Sequence, residues 1–196
     1  AVTEIKEYGF ANSKFIEAAV GGNIMVIGDN AFEYSNDLET IVIGDSVLYI
    51  GKNVFMGSSS LSSVSIGVNV NYIDGNPFAG SDSSLSVVIM QNNQYFACQE
   101  DVLGDGGNKM IRSKDRSVLI AYFGDSNDVI IPEGVSTIKA GAFRDNPVSS
   151  TIERVLLPTT LRTIEAGAFE SMTALKSVTF KSDVANIGYD EDNDTT

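Results

Sequence analysis

The sequence predicts a repeat solenoid, a β-rich coil with a parallel sheet on one face and short 3₁₀ or strand segments on the other. Two observations carry this. An aliphatic residue is followed five places later by phenylalanine in six copies: Ile5/Phe10, Ile27/Phe32, Ile50/Phe55, Ile73/Phe78, Ile138/Phe143 and Ile164/Phe169. The first four copies lie 22, 23 and 23 residues apart, and the last two 26. A period in this range marks units that cannot bury an apolar face alone and must stack on their neighbours.

The second observation is a frame of apolar residues at 0, +3, +5, +9, +12 and +17. One rung reads Leu38, Ile41, Ile43, Val47, Ile50, Phe55, and the next Leu61, Val64, Ile66, Val70, Ile73, Phe78. Phe15, Ala18, Val20, Ile24, Ile27, Phe32 gives an earlier rung, and Ile152, Val155, Leu157, Leu161, Ile164, Phe169 a later one. Ser126, Val129, Ile131, Val135, Ile138, Phe143 keeps the frame except at its first place. The last rung, Leu175, Val178, Phe180, Val184, Ile187, lacks its phenylalanine. Eight of the ten phenylalanines fall on this register, which sets it apart from chance clustering.

Each element follows from the spacing. Positions +3 and +5 are two apart, so both face one side of a strand. Position +6 is Gly21, Gly44, Gly67, Pro132 or Pro158, which ends that strand in a turn. The +9 to +12 stretch forms a second extended or 3₁₀ segment on the opposite wall. Small residues precede the phenylalanine (Gly9, Ala31, Ala142, Ala168), as a tight turn requires. Strands of successive rungs then stack at about 4.8 Å.

Residues 91–127 break the frame. Leu85, Val88 and Met90 start a rung, and Val129 resumes the pattern. Inside the excursion, 110–113 and 117–123 read as strands joined by a turn at Lys114-Asp115-Arg116. The excursion is either a wider substitute rung or a flap over one edge. The whole chain, 1–196, reads as a single repeat domain with an acidic tail at 188–196.

Composition narrows the chemistry. Hydrophobic residues make up 43% of the chain, enough for a packed interior, and the net charge is -13. Such a chain repels phosphate backbones, so nucleic acid is not expected as a partner. No apolar run is long enough for membrane insertion as a spanning helix. There is no histidine and one cysteine, Cys98. An internal disulfide is impossible, a zinc site would have to use carboxylates, and Ser-His or Cys-His mechanisms are excluded. Cys98, beside Phe96 and Ala97, reads as a small buried hydrophobe. No cofactor or metal is expected. The start at Ala1 without Met fits a processed or trimmed protein, or simply a cut boundary.

The text Ile27-Gly28-Asp29-Asn30-Ala31-Phe32, then Leu38-Glu39-Thr40-Ile41-Val42-Ile43, resembles the bacterial BspA-like leucine-rich repeat family. The stretch Ile131-Pro132-Glu133-Gly134-Val135-Ser136-Thr137-Ile138-Lys139-Ala140-Gly141-Ala142-Phe143 is closer still, and Ser113 to Tyr122 is similar to a segment many members carry. The resemblance covers roughly residues 2–187 and implies a leucine-rich-repeat solenoid, a right-handed coil. Where many family repeats have Cys three places after the phenylalanine, this chain has Ser35, Ser58, Ser81, Asn146 or Met172. The resemblance implies a secreted or surface-attached protein that binds matrix proteins or other cells, and it brings no shared catalytic residues.

Candidate sites are read with their plainer alternatives. The outer face of the parallel sheet carries the +4 column Ala19, Val42, Ser65, Ile89, Ile130, Leu156, Thr179 and the +2 column Glu17, Thr40, Ser63, Val87, Asp128, Arg154, Ser177. An exposed aliphatic stripe beside charge marks a contact surface. Val42, Ile89, Ile130, Arg154 and Leu156 are its predicted partner-binding residues. Alternatively the excursion covers Ile89 and Ile130, or aliphatics merely suit a strand. The +11 column Val26, Tyr49, Tyr72 either grips a glycan or protein or stiffens the sheet. Asp101, Asp105 and Asn108, and the acids from Asp190 to Asp194, lack calcium-loop spacing and read as solvated loop and tail. Asn193-Asp194-Thr195 is a sequon close to background. The chain is therefore expected to be a non-enzymatic binding or adhesion module, monomeric, meeting an extracellular protein or glycan outside the cell or at its surface. The alternatives are a structural spacer or self-associating array, and a carbohydrate-active enzyme working through two carboxylates.

Overall fold

The computed structural model describes residues 1–81, 84–99, 109–124, 126–144, 152–181 and 186–187. It is a β-solenoid of about seven turns, and its described residues hold no helix. The long strands β2 (Glu17–Val20), β4 (Thr40–Ile43), β6 (Ser63–Ile66) and β8 (Ser86–Ile89) form one parallel sheet. The two-residue strands β1 (Glu4–Ile5), β3 (Val26–Ile27), β5 (Tyr49–Ile50) and β7 (Tyr72–Ile73) form the sheet of the other wall. That second wall is extended rather than 3₁₀. A second stack repeats the plan with β12 (Asp128–Ile130), β14 (Arg154–Leu157) and β16 (Ser177–Phe180) on the long wall. Its short wall carries β13 (Thr137–Ile138), β15 (Thr163–Ile164) and β17 (Asn186–Ile187).

The register places like on like. Ile5, Ile27, Ile50 and Ile73 align across the first short wall, and Val20, Ile43, Ile66 and Ile89 across the long one. Each fully buried aliphatic contributes about 1.5–3 kcal/mol relative to exposure. Close stacking also explains the glycines that end the long strands: a Cβ on Gly67 would lie 2.7 Å from the Gly44 carbonyl of the rung before it. The phenylalanines form a file. Phe10, Phe32, Phe55 and Phe78 stack with centroids 5.5, 5.6 and 5.9 Å apart, and Phe143 stacks on Phe169 at 4.8 Å.

The described residues of the excursion form a rung rather than a flap. β9 (Phe96–Gln99), β10 (Met110–Ser113) and β11 (Val118–Tyr122) form an antiparallel layer, and β11 pairs in parallel with β13. The layer is a substitute rung buried on both sides. Phe96, Ile111, Ile120, Ala121 and Phe123 pack into the first stack's core. Met110, Leu119 and Tyr122 pack into the second's. Alternation alone cannot turn both Ile120 and Ala121 to one side. The register shift opposite Ile111/Arg112 is a β-bulge that supplies the extra residue. Adjacent residues of the layer also relay the aromatic file: Phe123 meets Phe78 edge-on at 5.4 Å, and Tyr122 stacks on Phe143 at 5.1 Å. Two buried asparagines tie the layer down. Asn76 donates to the Tyr122 carbonyl, and Asn93 donates to the Gly67 and Val70 carbonyls.

Candidate binding surface

The long-strand walls build the first candidate surface. In β4, Ile41 and Ile43 point inward and are buried, so Val42 between them points out and is 45% exposed. Ile130 in β12 is likewise exposed at 38%, so the excursion does not cover it. Leu156, its neighbour in β14, is half-buried. The column is not continuous. The sheet of β2, β4, β6 and β8 and the sheet of β12, β14 and β16 share no ladder, because the β9–β11 layer stands between the stacks.

Ile89 is a correction. The pairing sets Val64 against Val87, Ser65 against Val88 and Ile66 against Ile89. Ile89 is therefore an inward residue packed against the core, and Val88, 48% exposed, holds the outer place. Val87, expected on the outer face, is buried, and Met90, expected inside, is exposed. The rung carries one extra residue: Leu61 to Leu85 spans 24 places, not 23, so anchoring the frame on Leu85 inverts every side chain after it.

Arg154 is present on the outer face but already engaged. Its guanidinium pairs with Asp128 on β12 and with Glu153 at 3.2 Å, and Glu153 also holds Lys176 at 2.5 Å. The Arg154 hydrogen bond keeps the Asp128 carboxyl below the usual carboxylate range, and Lys176 does the same for Glu153. This row is a ladder of cross-strand ion pairs more than a free charge.

Tyr49 and Tyr72 meet on the short wall. Their rings stack at 5.3 Å and 4°, with Val26 in register before Tyr49. The Tyr49 hydroxyl donates to Asp74 at 3.4 Å. Burial, helped by the charges of Asp74 and Asp29, pushes its pKa up to about 12. Tyr49 is half-buried and Tyr72, on the last strand of its sheet, is 47% exposed. Beyond Tyr72 the wall opens into a groove of about 410 Å³ that reaches Phe96, Val118, Ile120, Thr137, Lys139 and Glu165. No local motif announces this groove; the only trace in the sequence is the broken frame at 91–127.

Many acids turn out to be structural caps. Asp29 accepts from the Lys52 amide, Asp45 from the Val68 amide, and Glu133 from the Thr159 amide, each one rung on. The Thr159 bonds hold Glu133 below its usual range, and the Ser113 hydroxyl does so for Asp115. A two-acid hydrolase needs one carboxyl raised beside another. Burial raises Glu33, whereas the other acids with a resolved shift go the opposite way. Among the described residues no three His, Cys, Asp or Glu gather as a metal site. Asp101, Asp105, Asn108, the 190–194 acids and the Asn193 sequon lie outside the described residues, as does the side chain of Cys98.

Comparison with known proteins decides the lineage. The family described as BspA type leucine-rich repeat region matches in 6 copies, over residues 1–99 and 120–191. The chain belongs to the BspA-type leucine-rich repeat family. Solved structures agree on the fold of this BspA-type chain. The pneumococcal vaccine antigen PcpA superposes with a TM-score of 0.59 at 20% identity, covering 95% of this chain and 56% of that one. A leucine-rich repeat protein from Eubacterium ventriosum gives 0.60 at 18% identity, covering 95% and 60%. One from Bacteroides ovatus gives 0.50 at 20% identity, covering 95% and 48%. The chain thus spans about half to three-fifths of the length of these structures. No curated protein sequence matches it.

Proposed function

We propose that this BspA-type solenoid is a non-enzymatic binding module that works outside the cell or at its surface and presents its long-strand walls to an extracellular protein. The observation that carries the reading is the exposure of Val42, Val88 and Ile130 on strands whose alternate residues are buried. Aliphatics on an open sheet face are costly to leave wet and gain free energy when covered. The family assignment and the likeness to a pneumococcal vaccine antigen support a surface location. Affinity would be summed over several rungs of a rigid sheet. The test is surface plasmon resonance against a panel of purified matrix proteins. Val42→Asp with Val88→Asp, and separately Ile130→Asp with Leu156→Asp, should abolish capture while the melting temperature moves by a few degrees at most. A collapse in stability would make these residues core, and unchanged capture would move the interface elsewhere.

A second reading, self-association, is favoured by the first rung. There the core opens in a mouth of about 540 Å³ lined by Ile5, Phe10, Phe15, Ala18 and Phe32. Phe10 is 45% and nearby Ile16 57% exposed. An exposed apolar mouth of this kind gains free energy when a further rung or a second copy covers it. Light scattering over a hundredfold concentration range separates the readings: constant mass supports the monomeric module, and growth that Phe10→Asp suppresses supports association.

A further inference from the structure

We propose that the groove beyond Tyr72 is a binding site for an uncharged saccharide, with the Tyr72 ring as its stacking platform. The groove exists because the repeat is interrupted. Sheet β1-β3-β5-β7 ends at Tyr72–Ile73, the β9–β11 layer follows, and the short wall resumes only with β11 and β13. Tyr49 covers the ring face of Tyr72 on the side of the preceding rung. The opposite face therefore looks along the wall into the gap, and half of the residue is open to solvent. The platform is backed before any ligand arrives, since Tyr49 stacks behind it and reaches Asp74 through a long hydrogen bond of 3.4 Å. Rigid tyrosines give contact area with little loss of side-chain freedom, and a backed one loses less.

The rest of the lining suits the same ligand. Phe96 and Ile120, both nearly buried, give an apolar floor for the C–H face of a sugar ring. Thr137, Lys139 and Glu165 stand on the β13 and β15 side. Lys139 and Glu165 form a pair at 3.0 Å and are each about a third exposed, so donors and an acceptor sit side by side without net charge. Alternating hydroxyl donors and acceptors over an apolar ring face are what a saccharide offers. The size agrees, because small-ligand sites run from roughly 300 to 1,000 Å³.

Other ligand classes fit less well. A phosphorylated or sulfated molecule would meet a single cation already neutralised by Glu165, on a chain of net charge -13. A divalent cation would find one carboxylate. An extended peptide adding to the free edge of β7 would find only two strand residues to pair with.

The experiment is calorimetric titration of the full chain with neutral oligosaccharides of glucose, galactose, mannose and N-acetylglucosamine, alongside amide chemical-shift mapping. At least one probe should bind and shift the amides of Tyr72, Thr137 and Lys139. Tyr72→Ala should weaken it about tenfold or more and Tyr72→Phe by less than about threefold. Val42→Asp, on the other wall, should leave it unchanged, so this site and the sheet-face reading fail independently. The proposal is overturned if no probe binds at millimolar concentration, if Tyr72→Ala binds as well as the parent, or if the shifts map elsewhere. A protein partner lost with Tyr72→Ala in the absence of saccharide binding also overturns it.

Discussion

Ser58 shows how each residue of a rung is held by the one before it. Its buried hydroxyl donates to the Phe32 carbonyl at 2.9 Å, as Ser35 does to Phe10 and Ser81 to Phe55. The Phe32 carbonyl also accepts the Ser35 amide at 3.2 Å, so Ser58→Ala does not orphan it. The expected loss is about 0.5–1.5 kcal/mol, the net worth of one hydrogen bond. Phe55→Ala, which hollows the aromatic file, should cost about 3–5 kcal/mol. Thermal melts of both variants, with exposed Ser59→Ala as control, check the order; equal losses would show that the file is loosely packed. At this scale the phenylalanines were legible because each follows an aliphatic residue by five places. The serine column was visible only as a departure from cysteine, and its bond partners were not. The left-handed residues two places before five of the phenylalanines were missed for another reason: Tyr8, Asn30, Asn53, Gly141 and Gly167 share a backbone angle but not a residue type, and before Phe78 the position shifts to Gly75.

The strands carry both the clearest success of sequence reasoning and its sharpest error. β4, β6 and β14 sit on the predicted frame because alternation and a glycine or proline stop agree there, and β16 keeps the register with Lys181 at the stop position. β8 does not, because Leu85 is buried in either register and gives no warning of the extra residue. The β10–β11 hairpin was readable from its two apolar runs and short turn, whereas β9 holds only Phe96 as a strong apolar anchor and was not. Across β12, β14 and β16 the pairs Asp128–Arg154 and Glu153–Lys176 give a pH prediction. Both carboxyls are depressed in the folded state. Their contribution is therefore present above the unfolded values of about 3.9 for Asp and 4.3 for Glu, and is lost as pH falls through the lower folded values. Melting temperature should fall more steeply below about pH 4 in the parent than in Asp128→Asn. Asp128 is exposed and Glu153 half-buried at the surface, so added salt should shrink the difference. Identical pH profiles would show that the ladder contributes nothing.

The whole molecule is two stacks joined through one layer that belongs to both cores. Sequence spacing revealed the stacks; it could not reveal the join, because β9, β10 and β11 follow no repeat and face two ways. The join matters for function. It separates the two long-strand walls, fixes their relation, and opens the groove beyond Tyr72 on the other wall. A flap in the same place would leave none of these fixed. The most direct measurement is native-state hydrogen exchange, residue by residue. If the layer is shared core, the amides of Ile111 and Ala121 open with free energies close to those of Val64 and Ile66 in the first stack. Exchange at Ile111 and Ala121 several kcal/mol easier than at Val64 would contradict it, and would make the excursion a cover that lifts away.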